Sequence, residues 1–198
     1  MTFDAMTAFI VFALAAAVTP GPSNVMVMAA GARAGLVGGM PCLAGVVAGM
    51  ALLIGAAALG LGGVVIALPG AMAALRWGGA ALLLWLAWQI ARAPPMQAGA
   101  RAEPVGFWRA LAFQWINPKS WIVAASAAAT YSSTASSTPF GRALLMGGLF
   151  AAAAAPSGLL WLAFGSALQR TLTDARRARV FNAAMGLLLA ASVVVVVG

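Results

Sequence analysis

Six apolar stretches, each about as long as a bilayer is thick, constrain this chain more than any other feature. An α-helix rises 1.5 Å per residue, so about 20 apolar residues cross a hydrocarbon core of about 30 Å. The stretches run from about residue 5 to 31, 39 to 68, 71 to 91, 107 to 131, 140 to 168 and 180 to 198. They are too long and too poor in turns to be the strands of a membrane barrel. The sequence therefore predicts an all-α membrane protein with six transmembrane helices.

Polar chemistry is scarce in this chain. Charged residues make up 7% of it, and the acidic ones are Asp4, Glu103 and Asp174. There is no histidine, and Cys42 is the single cysteine. These counts exclude Ser/His/Asp triads, clustered metal sites and intrachain disulfides, so we expect no enzyme, no metal and no other cofactor. The net charge of +8 is interpreted as membrane topology rather than nucleic-acid binding, because the arginines lie in short loops.

The arginines predict an orientation. The first, third and fifth loops together contain eight of them: Arg33, Arg92, Arg101, Arg109, Arg170, Arg176, Arg177 and Arg179. The opposite side contains two, Arg76 and Arg142. Because cytoplasmic loops carry an excess of basic residues, the first, third and fifth loops are predicted to face the cytoplasm. Both termini are then predicted to be periplasmic.

A proline-containing loop at about 93–106 divides the single transmembrane domain of 198 residues into two sets of three helices. The two repeats cover about 1–92 and 107–198. Because each half has an odd number of helices, the second half must enter the membrane from the opposite side. Gly21-Pro22-Ser23 also aligns with Asn117-Pro118-Lys119 at an offset of 96 residues. The pattern therefore predicts two inverted three-helix repeats.

Prolines interrupt the first and fourth stretches near their midpoints, at Thr19-Pro20-Gly21-Pro22 and Asn117-Pro118-Lys119. A single proline in a membrane helix is commonly only a kink. Paired breaks in corresponding helices instead indicate a transporter site near the midplane. Thr19-Pro20 and Asn117-Pro118 each have the pattern of an N-cap followed by proline at the first helical position. Each pair is predicted to restart a half-helix whose free N–H groups favour a carboxylate.

The candidate substrate-binding residues lie at the two breaks: Thr19, Pro20, Gly21, Pro22, Ser23, Asn24, Gln114, Asn117, Pro118 and Lys119. Lys119 lies 12 residues beyond Phe107, or about 18 Å into a core of about 30 Å. A lysine at that depth costs about 2.5–3.5 kcal/mol, and no acidic residue lies at a matching depth. Its ammonium can meet a water-filled cavity, backbone carbonyls or a substrate carboxylate. We expect Lys119 to face a central cavity and bind the anionic end of a substrate.

These motifs resemble the LysE/RhtB amino-acid exporter family, as does the basic segment Gly31-Ala32-Arg33-Ala34-Gly35. Residues 85–91, Phe107-Trp108 and 114–119 are most similar to the cysteine/O-acetylserine exporter type. The resemblance implies ion-coupled efflux of an amino acid or derivative across the bacterial inner membrane, with the substrate and the bilayer as partners. Ser23 stands where many members have an acidic residue, and Leu82 where many have tyrosine. Both departures leave the proton-carrying group and the substrate unassigned.

Two other functions remain open at this point. A channel for small solutes would need a continuous polar stripe, whereas the polar residues cluster at the two breaks. A membrane scaffold or assembly protein without transport activity would tolerate replacement of Gly21 and Asn117. The sequence does not identify the amino acid, the coupling ion or the stoichiometry. It also leaves the oligomeric state open, and a homo-oligomer is one arrangement that it allows.

Overall fold

The structure is a computed structural model that describes residues 1–92, 105–132, 138–168 and 174–197. Its helices are α1 (Phe3–Val18), α2 (Pro22–Ala56), α3 (Gly62–Ala67), α4 (Pro69–Ala91), α5 (Phe107–Ile116), α6 (Pro118–Tyr131), α7 (Pro139–Leu168) and α8 (Ala175–Val197). A π-helical segment, Ala57–Leu61, joins α2 to α3. The described residues contain no strand. Most of the predicted loop at 93–106 lies outside these ranges.

Long apolar helices dominate the described part of the chain. Within it, Pro22–Leu61, Pro139–Leu168 and Ala175–Val194 are long and apolar enough to cross a membrane, and Phe3–Val18 is a shorter apolar helix. Large apolar side chains such as Leu160 lie on the outer surface, where a bilayer rather than water would cover them. The prediction of an all-helical membrane protein is therefore confirmed.

Gly35 kinks α2 into two arms. Its φ of 72° and ψ of −173° lie outside the helical region, whereas its neighbours on both sides are helical. A positive φ of this kind is accessible to glycine without the steric penalty that a Cβ would bring. We call residues 22–34 the first arm of α2 and residues 36–56 the second arm. The loop predicted between residues 31 and 39 is therefore wrong, because one glycine makes the turn.

Small residues allow α2 and α7 to pack closely. A Cβ at Gly31 would overlap the carbonyl of Leu162, and a Cβ at Gly165 would overlap the carbonyl of Met28. Membrane helices associate through such small residues because their backbones can then approach. These contacts hold the first arm of α2, and the chain break that precedes it, against the C-terminal half of α7.

Close packing also positions the second break. A Cβ at Gly45, in the second arm of α2, would overlap the carbonyl of Phe107 in α5. On the other side, Gly79 of α4 provides the space that the ring of Pro118 occupies at the start of α6. The start of α5 therefore packs against α2, and the start of α6 packs against α4.

Candidate substrate site

The first break covers Thr19, Pro20 and Gly21, between α1 and α2. The hydroxyl of Thr19 donates to the carbonyl of Ala15 at 2.6 Å, so Thr19 ends α1 instead of starting the next helix. Gly21 is extended, with φ −174° and ψ 178°, and Pro22 is the first residue of α2. The prediction that Thr19 is the N-cap is therefore wrong. A proline disfavours helical geometry in the residue before it, so Pro22 keeps Gly21 extended and the helix begins only at Pro22.

The second break is the single residue Asn117, between α5 and α6. Asn117 has φ −82° and ψ 114°, and Pro118 follows it as the first residue of α6. The Oδ1 of Asn117 accepts a hydrogen bond from the backbone N–H of Lys119 at 3.1 Å. This is the predicted pairing of an N-cap with proline at the first helical position, and for Asn117-Pro118 it is confirmed.

A hydrogen-bonded network connects the two breaks. Ser23 Oγ donates to Gln114 Oε1 at 2.8 Å, and Asn117 Nδ2 donates to Ser23 Oγ at 3.0 Å. Ser120 Oγ donates to the same Gln114 oxygen at 3.0 Å, and Gln114 Nε2 donates to the carbonyl of Ala110 at 3.1 Å. Gln114, Asn117 and Ser120 are buried. Because each of these side chains has a partner, the cost of burying them is offset, and the start of α2 is joined to both α5 and α6.

Lys119 extends from the start of α6 to the first break. Its Nζ donates to the carbonyl of Thr19 at 2.5 Å and to the carbonyl of Pro20 at 3.3 Å. A positive charge is favourable there, because the carbonyls at the end of α1 carry partial negative charge. A Cβ at Gly21 would lie 2.9 Å from Lys119 Cδ. Gly21 is therefore needed for space rather than for an unusual backbone angle.

Asn24 supports the same group of carbonyls from the first turn of α2. Its Nδ2 donates to the carbonyl of Ala17 at 2.9 Å and to that of Thr19 at 3.0 Å. The carbonyl of Thr19 thus accepts from both Asn24 and Lys119. Side chains from two different helices therefore satisfy the C-terminal end of α1.

A cavity of about 60 Å³ lies between the two breaks and the faces of α2 and α7. Its polar side is formed by residues from the two breaks: Gly21, Ser23, Asn24, Asn117, Lys119 and Ser120. Its other side is apolar and includes Met50, Phe150 and Ala154. Lys119 is among the residues that line this cavity, and its binding of a substrate stays a prediction.

The structure brings all ten predicted site residues to the two breaks, but in different positions. Thr19 and Pro20 contribute carbonyls to Lys119, and Pro22 and Pro118 begin the two half-helices. Gln114 does not line the cavity and lies behind Ser23, to which it is hydrogen-bonded.

Sequence reasoning missed the apolar side of the cavity, including Phe150 and Ala154. The spacing of four residues places Phe150, Ala154 and Gly158 on one face of α7. Every face of this helix is apolar in sequence, so spacing alone does not show which face lines a cavity.

A helical membrane protein whose polar cavity lies where two helices are broken has the arrangement of a secondary transporter. The chain belongs to the LysE type translocator family, which it matches over residues 14–198. It is therefore a membrane translocator rather than an enzyme, and that prediction is confirmed.

Curated relatives support the same family. The cysteine/O-acetylserine efflux protein of Escherichia coli strain K12 is 32% identical over 131 residues, which cover 66% of this chain and 67% of the relative. The proteins of the same name from Shigella sonnei strain Ss046 and Escherichia coli O1:K1 / APEC are 32% and 31% identical over the same shares. No solved structure matches the chain at a significant level. The resemblance to the cysteine/O-acetylserine exporter type is thereby confirmed.

Proposed function

We propose that the chain exports an amino acid or amino-acid derivative from the cytoplasm across the bacterial inner membrane by alternating access around this cavity. The observation that carries the proposal is the position of Lys119. Lys119 lines the cavity, and its ammonium is bonded to the carbonyls of Thr19 and Pro20 at the point where the two broken helices meet. The family match and the efflux relatives support export as the direction of transport.

The cavity suits the carboxylate of an amino acid. The half-helices α2 and α6 begin at Pro22 and Pro118, so both present their positive ends near Lys119. The bonds from the ammonium to the carbonyls of Thr19 and Pro20 are already charge-assisted. A carboxylate competes with these carbonyls because it carries a full negative charge, whereas they carry only partial charges. Lys119 and the starts of both half-helices come from one chain.

Helix packing supports two inverted halves with six membrane spans. In this arrangement the half-helix after each break packs against the second long helix of the opposite half. Gly165 of α7 approaches Met28 in the first arm of α2, and a Cβ at Gly62 of α3 would lie 3.5 Å from the Ala128 Cβ of α6. The proposed spans are α1 with the first arm, the second arm with α3, α4, α5 with α6, α7, and α8. The arginine distribution then favours periplasmic termini.

The size of the cavity favours alternating access over an open channel. A volume of about 60 Å³ is well below the 300–1,000 Å³ or so of typical ligand pockets. Passage of an amino acid therefore needs a rearrangement of the helices around the breaks. The described residues that line the cavity include no carboxylate, so an ion that couples to transport would have to use another group.

Transport by purified protein tests the proposal directly. Proteoliposomes that contain the chain are loaded with labelled cysteine under reducing conditions, and release is followed with and without an imposed proton gradient. We expect release that unlabelled substrate inhibits and that protein-free liposomes lack. A response to the gradient would support ion coupling. Release no faster than from protein-free liposomes, for cysteine and O-acetylserine alike, would contradict the proposed function.

A further inference from the structure

The cavity has two chemically different sides. Residues of the two breaks form its polar side, and the second arm of α2 together with α7 forms most of its apolar side. An amino acid whose carboxylate binds Lys119 therefore points its side chain toward α2 and α7. The residues of that wall are in a position to distinguish one amino acid from another.

The second arm of α2 and α7 run antiparallel, and their contacts show which residues of the apolar side lie opposite one another. A Cβ at Gly158 would overlap the side chain of Leu43, and a Cβ at Gly147 would lie 2.7 Å from the carbonyl of Ala51. Residue numbers therefore rise along one helix as they fall along the other. Ala154 lies between these two contacts, at the middle of the wall.

Large side chains lie on both sides of Ala154 along the apolar side of the cavity. Leu43 is buried at one end, and Met50 and Phe150 are buried at the other. Ala154 lies one helical turn from both Phe150 and Gly158 on α7, and it contributes only a methyl group to the cavity. The part of the cavity next to the methyl group of Ala154 is therefore where a substrate side chain would fit, and the ring of Phe150 limits its size.

Charge restricts the substrate further. Lys119 is the charged residue among the described residues that line the cavity. A second ammonium, at the end of a lysine-like substrate, would face Met50 and Phe150 with no carboxylate to pair with it. Burying an unpaired charge against hydrocarbon is strongly unfavourable. The cavity therefore disfavours cationic amino acids.

We infer that Ala154 and Phe150 determine the substrate side chain, and that the site selects neutral amino acids with short side chains. The inference rests on the proposed function. It differs from that proposal in its measurement, which is a ratio between substrates rather than the presence of transport. A residue that only stabilises the fold would change the rates for all substrates together and leave that ratio unchanged.

Two opposite substitutions test the inference in proteoliposomes exporting labelled cysteine. Unlabelled cysteine, leucine and lysine serve as competitors. Ala154→Val narrows the space and should therefore weaken competition by leucine relative to cysteine. Phe150→Leu widens the space and should therefore strengthen competition by leucine relative to cysteine. Each shift should be roughly 10-fold, the lower limit for one methylene-sized change in an apolar pocket. Ala152→Val, at an exposed position of the same helix, should leave the ratio unchanged.

The outcomes separate the two proposals. If the unmodified protein exports neither cysteine nor O-acetylserine, the proposed function fails. If it exports cysteine but Ala154→Val leaves the leucine-to-cysteine ratio unchanged, the inference is overturned. Competition by lysine as strong as by cysteine would also overturn it. Should Phe150→Leu fail to fold, the ratio for Ala154→Val decides alone, because that substitution adds only two methyl-sized groups at a partly buried position.

Discussion

Replacing Lys119 with methionine removes the ammonium while keeping a side chain of similar length. The protein loses the Nζ bonds to the carbonyls of Thr19 and Pro20, and in the loaded protein it loses the proposed bond to the substrate carboxylate. A hydrogen bond to a charged group contributes about 1.5–3 kcal/mol. Because the carboxylate displaces the two carbonyls, this energy is the upper limit of the loss in binding. Since 1.4 kcal/mol corresponds to a factor of ten, the substrate concentration for half-maximal export should rise by up to about 140-fold.

The assay compares cysteine with cysteinamide, which has no carboxylate. Counterflow in proteoliposomes gives the half-saturating concentration of each compound for the unmodified protein and for Lys119→Met. The unmodified protein should strongly prefer cysteine, and Lys119→Met should lose most of that preference. Size-exclusion chromatography in detergent checks that both proteins are folded. If folded Lys119→Met still prefers cysteine by the original factor, the ammonium does not bind the carboxylate and the reasoning is refuted.

Three further results are expected. Gly21→Ala places a methyl group 2.9 Å from Lys119 Cδ, so it should displace that flexible side chain. The half-saturating concentration in the counterflow assay should rise, but less than in Lys119→Met. An unchanged concentration would contradict the proposed contact between position 21 and Lys119. Asn117→Leu removes the N-cap of α6 and the hydrogen bond to Ser23, so the free energy of unfolding measured in a thermal melt should fall by about 1–3 kcal/mol. Asn117→Asp keeps a capping oxygen and should recover the part of this loss that is due to the cap. A reporter that is active only in the periplasm should be active when it is fused after Gly198. Activity of a reporter that works only in the cytoplasm would show that the predicted orientation is wrong.

The two helix breaks could be predicted from sequence because their causes are local. Proline at the first helical position and asparagine before it are sufficient to predict the start of α6 at Pro118. The same local rules gave the wrong cap at the first break, where Thr19 and Gly21 each precede a proline. Both residues are then kept out of helical geometry, and local rules do not decide which of the two prolines begins the helix.

The partners of Lys119 could not be predicted in the same way. Its bond to the carbonyl of Thr19 joins residues 100 positions apart, so it depends on how α1, α2 and α6 pack. The apolar wall around Phe150 was missed for a different reason. In a soluble helix an apolar stripe marks the buried face, but in a membrane helix the lipid-facing and cavity-facing sides are both apolar.

The contacts of Lys119 suggest how substrate binding and helix movement are connected. Thr19 and Pro20 belong to the first half of the chain, and Lys119 belongs to the second, so their hydrogen bonds hold the two halves together across a contracted cavity. A carboxylate that takes the ammonium from these carbonyls replaces a direct contact between the halves with one made through the substrate. The cavity must widen to admit the rest of the amino acid, and that widening separates the same two breaks. Binding of the carboxylate is therefore expected to remove one of the two hydrogen-bonded connections between the halves, and their full separation also requires the bonds of Ser23 to Gln114 and Asn117 to open.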